Sequence, residues 1–203
     1  MSTLSRTENK ILMANARQAL TGKWDVAIGG IAIYWLLPLV ISFIPKAGNI
    51  ISTILEGGLA LGLAGFSMSL SREQLTKATD IFNERFWISL GAYLLQGIFI
   101  LLWSLLLIIP GIIAAYSYAL TNYILVEDKT IGIQEAIQKS KDMMRGNKWK
   151  LACLQGRFIG WGILCLFTLG IGFLWLYPYV IVSIAEFYDD IKRDLVTADA
   201  AQI

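Results

Sequence analysis

The 203-residue chain is 56% apolar and only 16% charged, whereas a soluble domain carries about a quarter charged residues. That balance excludes an ordinary water-soluble globule and points to a polypeptide solvated by lipid. A net charge of +2 offers no nucleic-acid surface, and the chain lacks histidine, the commonest metal ligand and neutral-pH acid or base.

Leu4, Ile11, Leu12, Ala16, Ala19 and Leu20 approximate one face of an amphipathic helix. Gly22 stands where its C-cap falls, and Lys23-Trp24 opens the first apolar run, residues 26–44. More than twenty mixed-charge residues precede that run and no A-x-A-like site follows it, so no cleavable signal peptide is expected. "PKAGN" separates it from a second run, residues 50–70. Leu75, Ala78, Phe82 and Phe86 then predict a second amphipathic helix.

The third run, residues 87–126, has no charge, and its one strong breaker is Pro110-Gly111. Since about 20 apolar residues cross a bilayer, it reads as two crossings with a tight turn at Pro-Gly. Ile133, Ala136, Ile137, Ser140 and Met144 form the face of a third amphipathic helix, closed by Gly146. The last run, residues 151–187, is broken by "TLGIG" at 168–172 and makes another hairpin.

The expected fold is an all-α membrane protein: six transmembrane helices in three hairpins, each preceded by a short cytoplasmic amphipathic interfacial helix. It is one domain, 1–203, with hairpin units at 1–71, 72–126 and 127–192 and a cytoplasmic tail at 193–203. Lysines and arginines before the first helix, from Arg6 on, and in the two long connections and the tail all fall on one side. The opposite turns hold only Lys46. By the positive-inside rule both termini are cytoplasmic.

Lys23 and Trp24, Arg85 and Trp87, and Lys148 and Trp149 mark the three points where the chain enters the bilayer. Indole settles at headgroup level and long cations snorkel to phosphate, so these are interfacial anchors. Phe66-Ser67-Met68, Tyr116-Ser117-Tyr118 and Tyr177-Pro178-Tyr179 echo one another, each about a turn or more after a glycine: Gly62, Gly111 and Gly172. A threefold internal repeat and chance resemblance among apolar segments both account for the echo.

The candidate polar side chains within the apolar runs are Glu56, Gln96, Asn122, Arg157 and Glu186. Glu56 reads as a carboxylate near enough to the outer face to reach water, with a proton- or cation-coupled site as the alternative. Arg157 either snorkels to the cytoplasmic interface or pairs with Glu186 as glue between neighbouring helices. Gln96, Asn122 and Gln155 read as hydrogen-bonding bridges. Gly57, Gly58 and Gly62, and separately Gly156 and Gly160, read as close-packing faces. Asp189-Asp190 reads as a solvated helix end, with a bound cation as the alternative. Cys153 and Cys165, roughly 18 Å apart on one helix, read as small core residues. No catalytic, cofactor-binding or metal-binding residue is expected, and no lipase-elbow, zincin or Walker motif occurs.

"SLLLIIPGIIAAYSY", "SKDMMRGNKWKL" and "TLGIGFLWLYPYVIVSIAEFYDDI" resemble an uncharacterised bacterial membrane-protein family, the domain of unknown function numbered 975, widespread in Gram-positive bacteria. A weaker similarity runs to the membrane portion of some glycerophosphodiester phosphodiesterases. The resemblance implies a multi-pass plasma-membrane protein and carries over no active-site residue. The expected function is that of a non-enzymatic scaffold, partner subunit or envelope-stress or immunity factor. The alternative is a transporter of small molecules or lipid, or a lipid-binding protein, with a cavity between the hairpins. Expected partners are membrane lipids and a membrane protein or second copy, with no nucleic acid and no cofactor.

Overall fold

A computed structural model describes residues 5, 7–45, 47–82, 85–106 and 108–200. Leu4, Arg6, Lys46 and residues 201–203, on which parts of the reading above rest, lie outside them. The described chain is helical and contains no strand. Helix α1 is Asn9–Leu20, α2 Trp24–Ser42, α3 Gly48–Ser71, α4 Phe86–Leu106 and α5 Ile108–Tyr118. Then come α6 Thr121–Glu127, α7 Ile133–Met143, α8 Lys148–Phe167 and α9 Phe173–Ala200.

Consecutive long helices pack as hairpins: α2 with α3, α4 with α5, and α8 with α9. Helix α3 is the axis, touching α1, α2, α4, α6 and α9. Its glycines explain why. A Cβ on Gly58 would lie 1.8 Å from the Phe86 ring, and one on Gly62 would lie 1.7 Å from the Ile81 carbonyl oxygen. The backbones therefore meet where no side chain could stand. Ser89 of α4 is threaded into the same turn: its hydroxyl donates to Gly57 O at 2.7 Å and accepts from Leu61 N at 2.9 Å. The outer faces stay apolar, with Leu36, Val40, Phe43, Leu101, Ile159 and Phe167 among the exposed side chains, the pattern of helices that meet lipid.

The sequence places two boundaries differently. Pro110 and Gly111 belong to the first turn of α5, where proline's missing N–H costs nothing. Gly111 lets α5 close on Ser104, whose Oγ a Cβ would meet at 2.0 Å. Nor does the fourth crossing run unbroken. It pauses at Ala119-Leu120, where Ser140 of α7 donates to Ser117 O at 2.8 Å and accepts from Leu120 N at 3.3 Å. A side chain inserted into the helical ladder is a standard cause of such a break.

The second amphipathic helix is not observed. Among the described residues of 72–85 there is one 3-10 turn, Ala78–Ile81, with Leu75 and Phe82 exposed. This segment is committed to the α2–α3 seam, Ala78 against Gly29 and Ile81 over Gly62, so its helical period is overridden by contact. The other two form. Helix α7 buries Ala136, Ile137, Ser140 and Met143, and α1 buries Leu12, Ala16, Ala19 and Leu20 while Ile11 is exposed. Both are followed by the expected glycines in left-handed conformation, Gly22 at φ 78° and Gly146 at φ 82°.

Among the described residues five helices are long and apolar enough to cross a membrane: Trp24–Ser42, Gly48–Ser71, Phe86–Leu105, Ile109–Glu127 and Lys148–Phe167. Helix α9 is not among them. Its apolar part, residues 173–187, spans roughly 22 Å, short of a hydrocarbon core about 30 Å thick. It continues without a break past Asp189-Asp190 and residue 193.

Gly62→Ala is expected to destabilise the bundle by about 1–3 kcal/mol through overpacking, whereas Gly156→Ala, with nothing within 4 Å of its Cβ position, is expected to be neutral. Thermal melting of the two variants in detergent checks the contrast.

Candidate functional site

Charge gathers at one end of the bundle. Arg72, just past α3, grips Asp189 of α9 with two nitrogens at 2.7 and 3.0 Å and reaches Glu127 of α6 at 2.9 Å. Lys192 meets the same Glu127 oxygen at 2.7 Å, and the Tyr188 hydroxyl donates to the other at 2.7 Å. The hydrogen bond from Arg72 to Asp189 pushes the guanidinium pKa above its ordinary value. Beside this lattice, Asp190 accepts hydrogen bonds from the hydroxyls of Ser5 and Thr7 and stands 3.6 Å from Lys150 of α8. Lys150 also donates to Ser5 O at 2.8 Å.

Asp189-Asp190 is therefore not a free helix end. Each carboxylate is held by the chain's own cations, and among the described residues no cluster could hold a metal ion. Sequence reasoning missed the lattice because its members are spread from Ser5 to Lys192. The doubled acid at the end of an apolar run was the signal.

The polar residues expected within the membrane do not converge. Glu56 is half-buried on α3, within electrostatic range of Tyr34. Gln96 and Asn122 meet in a long hydrogen bond of 3.5 Å between α4 and α6. Gln155 accepts from the Tyr116 hydroxyl at 3.0 Å. The alternative pairing of Arg157 with Glu186 is not found: Glu186 accepts from Ser71 at 2.8 Å, and Arg157 is exposed on α8. Gly156 and Gly160 are likewise open rather than packed, and Cys153 is exposed while Cys165 is buried.

The anchors divide. Trp87 and Trp149 point outward. Lys23 donates to Gln74 O at 3.2 Å and Arg85 to Leu125 O at 2.7 Å. Trp24 turns partly inward, and Lys148 lines a cavity of about 310 Å³ with Trp103, Tyr118, Lys141 and Arg145.

A second concavity lies between α1, α8 and α9. The first helix runs antiparallel to the last, with Thr7 at Asp190 and Arg17 beside Tyr179. Between them and α8 opens a pool of about 420 Å³ lined by Lys10, Met13, Ala14, Arg17, Arg157, Trp161 and Tyr179. It adjoins an apolar pool of about 380 Å³ that shares Met13, Arg17, Trp161 and Tyr179 and continues over Trp24, Cys165, Trp175 and Leu176. Among the described residues none of the three cations here has a carboxylate partner.

All-helical architecture, apolar outer faces and five helices of crossing length define a membrane-embedded protein. Residues 104–194, a little under half of the chain, match the family described as "Protein of unknown function (DUF975)". No curated protein and no solved structure matches it. The matched segment includes the Ser117–Ser140 insertion and the charged residues Glu127, Lys150, Asp189 and Asp190.

Burial alone would raise the Asp190 carboxyl, but the hydrogen bonds from Ser5 and Thr7 and the Lys150 ammonium outweigh it and hold the group below its ordinary value. A carboxylate depressed in the folded state contributes stability that is present above the unfolded value, near 3.9, and lost as pH falls through the folded one. Melting temperatures measured from neutral pH downward should therefore fall in acid. Asp190→Asn should melt lower than the parent at neutral pH and show a smaller acid-dependent drop.

Proposed function

We propose that this is a multi-pass protein of the bacterial cell membrane with six crossings and both termini in the cytoplasm. It acts without enzymatic chemistry, as a helical scaffold, partner subunit or envelope-stress or immunity factor. The sixth crossing is the first half of α9, residues 173–187, shortened because Glu186 and the acidic pair must reach the charged end. The cationic residues support the orientation: Arg72, Lys148, Lys150 and Lys192 all lie at or beside that end.

The observation that carries the reading is the dispersal of polar groups. A transport path needs polar side chains facing a common cavity near the membrane midplane. Here Glu56, the Gln96–Asn122 pair, Gln155 and Arg157 each have separate surroundings, as in a protein whose polar groups hold helices together.

Two measurements test this in a background lacking both cysteines. A reporter fused after residue 203 is expected inside the cell and one inserted at the 168–172 turn outside; a C-terminal reporter on the outside would overturn the topology. Single cysteines replacing Glu56, Gln96 and Asn122 are expected to resist a bulky impermeant thiol reagent from at least one face. Labelling of all three from both faces would sink the scaffold reading in favour of a conduit.

A further inference from the structure

We propose that the groove between α1, α8 and α9 is a binding site for one anionic glycerophospholipid of the bilayer. Its phosphate would lie between Arg17 and Arg157 and an acyl chain along Trp161, Trp175 and Leu176. The inference rests on the reading that α8 and α9 cross the membrane.

Charge complementarity carries it. The acids of the charged lattice are already engaged: Asp189 and Glu127 with Arg72, Asp190 with Lys150, Glu186 with Ser71. Lys10, Arg17 and Arg157 are left facing one cavity with no carboxylate among its lining residues. Arg157 lies nine residues past Lys148, roughly 13 Å along α8, a depth at which an unpaired guanidinium is costly unless its side chain reaches back to phosphate. Arg17 approaches the same pool from α1, and Lys10 stands two turns nearer the charged end.

Below the cations the groove changes character. The adjoining pool is lined chiefly by Trp24, Trp161, Trp175, Leu176 and Cys165, a surface for hydrocarbon rather than for a free anion. The change from cations to indole and aliphatic side chains follows a phospholipid from headgroup to tail. Crevices between membrane helices that are basic on the cytoplasmic side hold such headgroups. The other basic cavity is less suited: there Arg145 is paired with Asp142 at 3.3 Å and Lys141 sits over the Tyr118 ring.

The test uses the full chain in mild detergent, with retained lipid read by native mass spectrometry. The probes are dioleoylphosphatidylglycerol, dioleoylphosphatidylcholine and inorganic phosphate. The anionic lipid is expected to bind about tenfold or more tightly than the zwitterionic one, since two or three cations act at about fivefold each. Arg17→Gln and Arg157→Gln should each weaken phosphatidylglycerol about fivefold and leave phosphatidylcholine unchanged. Trp161→Ala should weaken both, and Arg157→Lys should keep most of the discrimination.

Equal retention of the two lipids would overturn the site. So would an equal loss in the Lys141→Gln, Lys148→Gln control, which marks diffuse attraction, or displacement by inorganic phosphate at the lipid's own concentration, which marks a free-anion site. Melting in phosphatidylcholine alone checks that each variant folds. Should the arginine variants fail there, the wild-type protein decides: its preference for phosphatidylglycerol must fall as salt rises, and a salt-independent preference rejects the proposal. Misplaced topology reporters would sink the membrane reading, whereas lost discrimination in a correctly oriented protein sinks the lipid site alone.

Discussion

Helix α3 can be the axis of this bundle only because residues 57, 58 and 62 have no side chains. In lipid, apolar groups gain little by leaving one apolar neighbour for another, so helices associate through close backbone approach and interhelical hydrogen bonds. The glycine face supplies the approach, to Phe86 and to the Ile81 carbonyl. Ser89 supplies the hydrogen bonds on the same turn. The connection after α3 must then double back along the α2–α3 seam, which places α4. The hairpin α4–α5 and the short α6 follow from that placement.

A second constraint acts at the charged end. Backbone and side-chain polar groups withdrawn from water need partners, and the chain provides them from distant segments. Arg72 joins the end of α3 to α6 and α9, while Asp190 joins α9 to α8 and to Ser5 and Thr7. The last two hairpins are thereby fastened at one level, and α1 is drawn along α9 instead of standing free. Ser140 plays the corresponding part for α7, which meets the broken fourth crossing through Ser117 and Leu120.

The apolar runs were legible in the sequence because a bilayer sets a length that composition alone reveals. So were the turns at Gly22, Gly146 and Gly170, where positive φ demands glycine; the third lies within the expected 168–172 break. The close-packing role of Gly58 and Gly62 was visible from spacing, whereas the same spacing at Gly156 and Gly160 pointed to contacts that do not form. Spacing says which residues share a helix face and nothing about what faces them. Pro110-Gly111 misled for a similar reason: proline opens a helix as readily as it ends one. The charged lattice was illegible because its pairs are separated by as many as 185 positions.

Helix α8 shows where these two devices stop. Gly156 and Gly160 pack against nothing, and the helix is held by α9, by limited contact with α5 and α1, and by Lys150 at its end. A crossing helix fastened at its charged end and lightly packed along its length leaves space beside it. In that space α1, drawn in by the contacts of Ser5 and Thr7 with Asp190, sets Arg17 opposite Arg157. The cations of the groove are unpaired because the acids that would answer them are committed to the lattice above. The same distribution of charge that locks the hairpins thus leaves a basic, indole-lined crevice at the side of the bundle, open to the lipid around it.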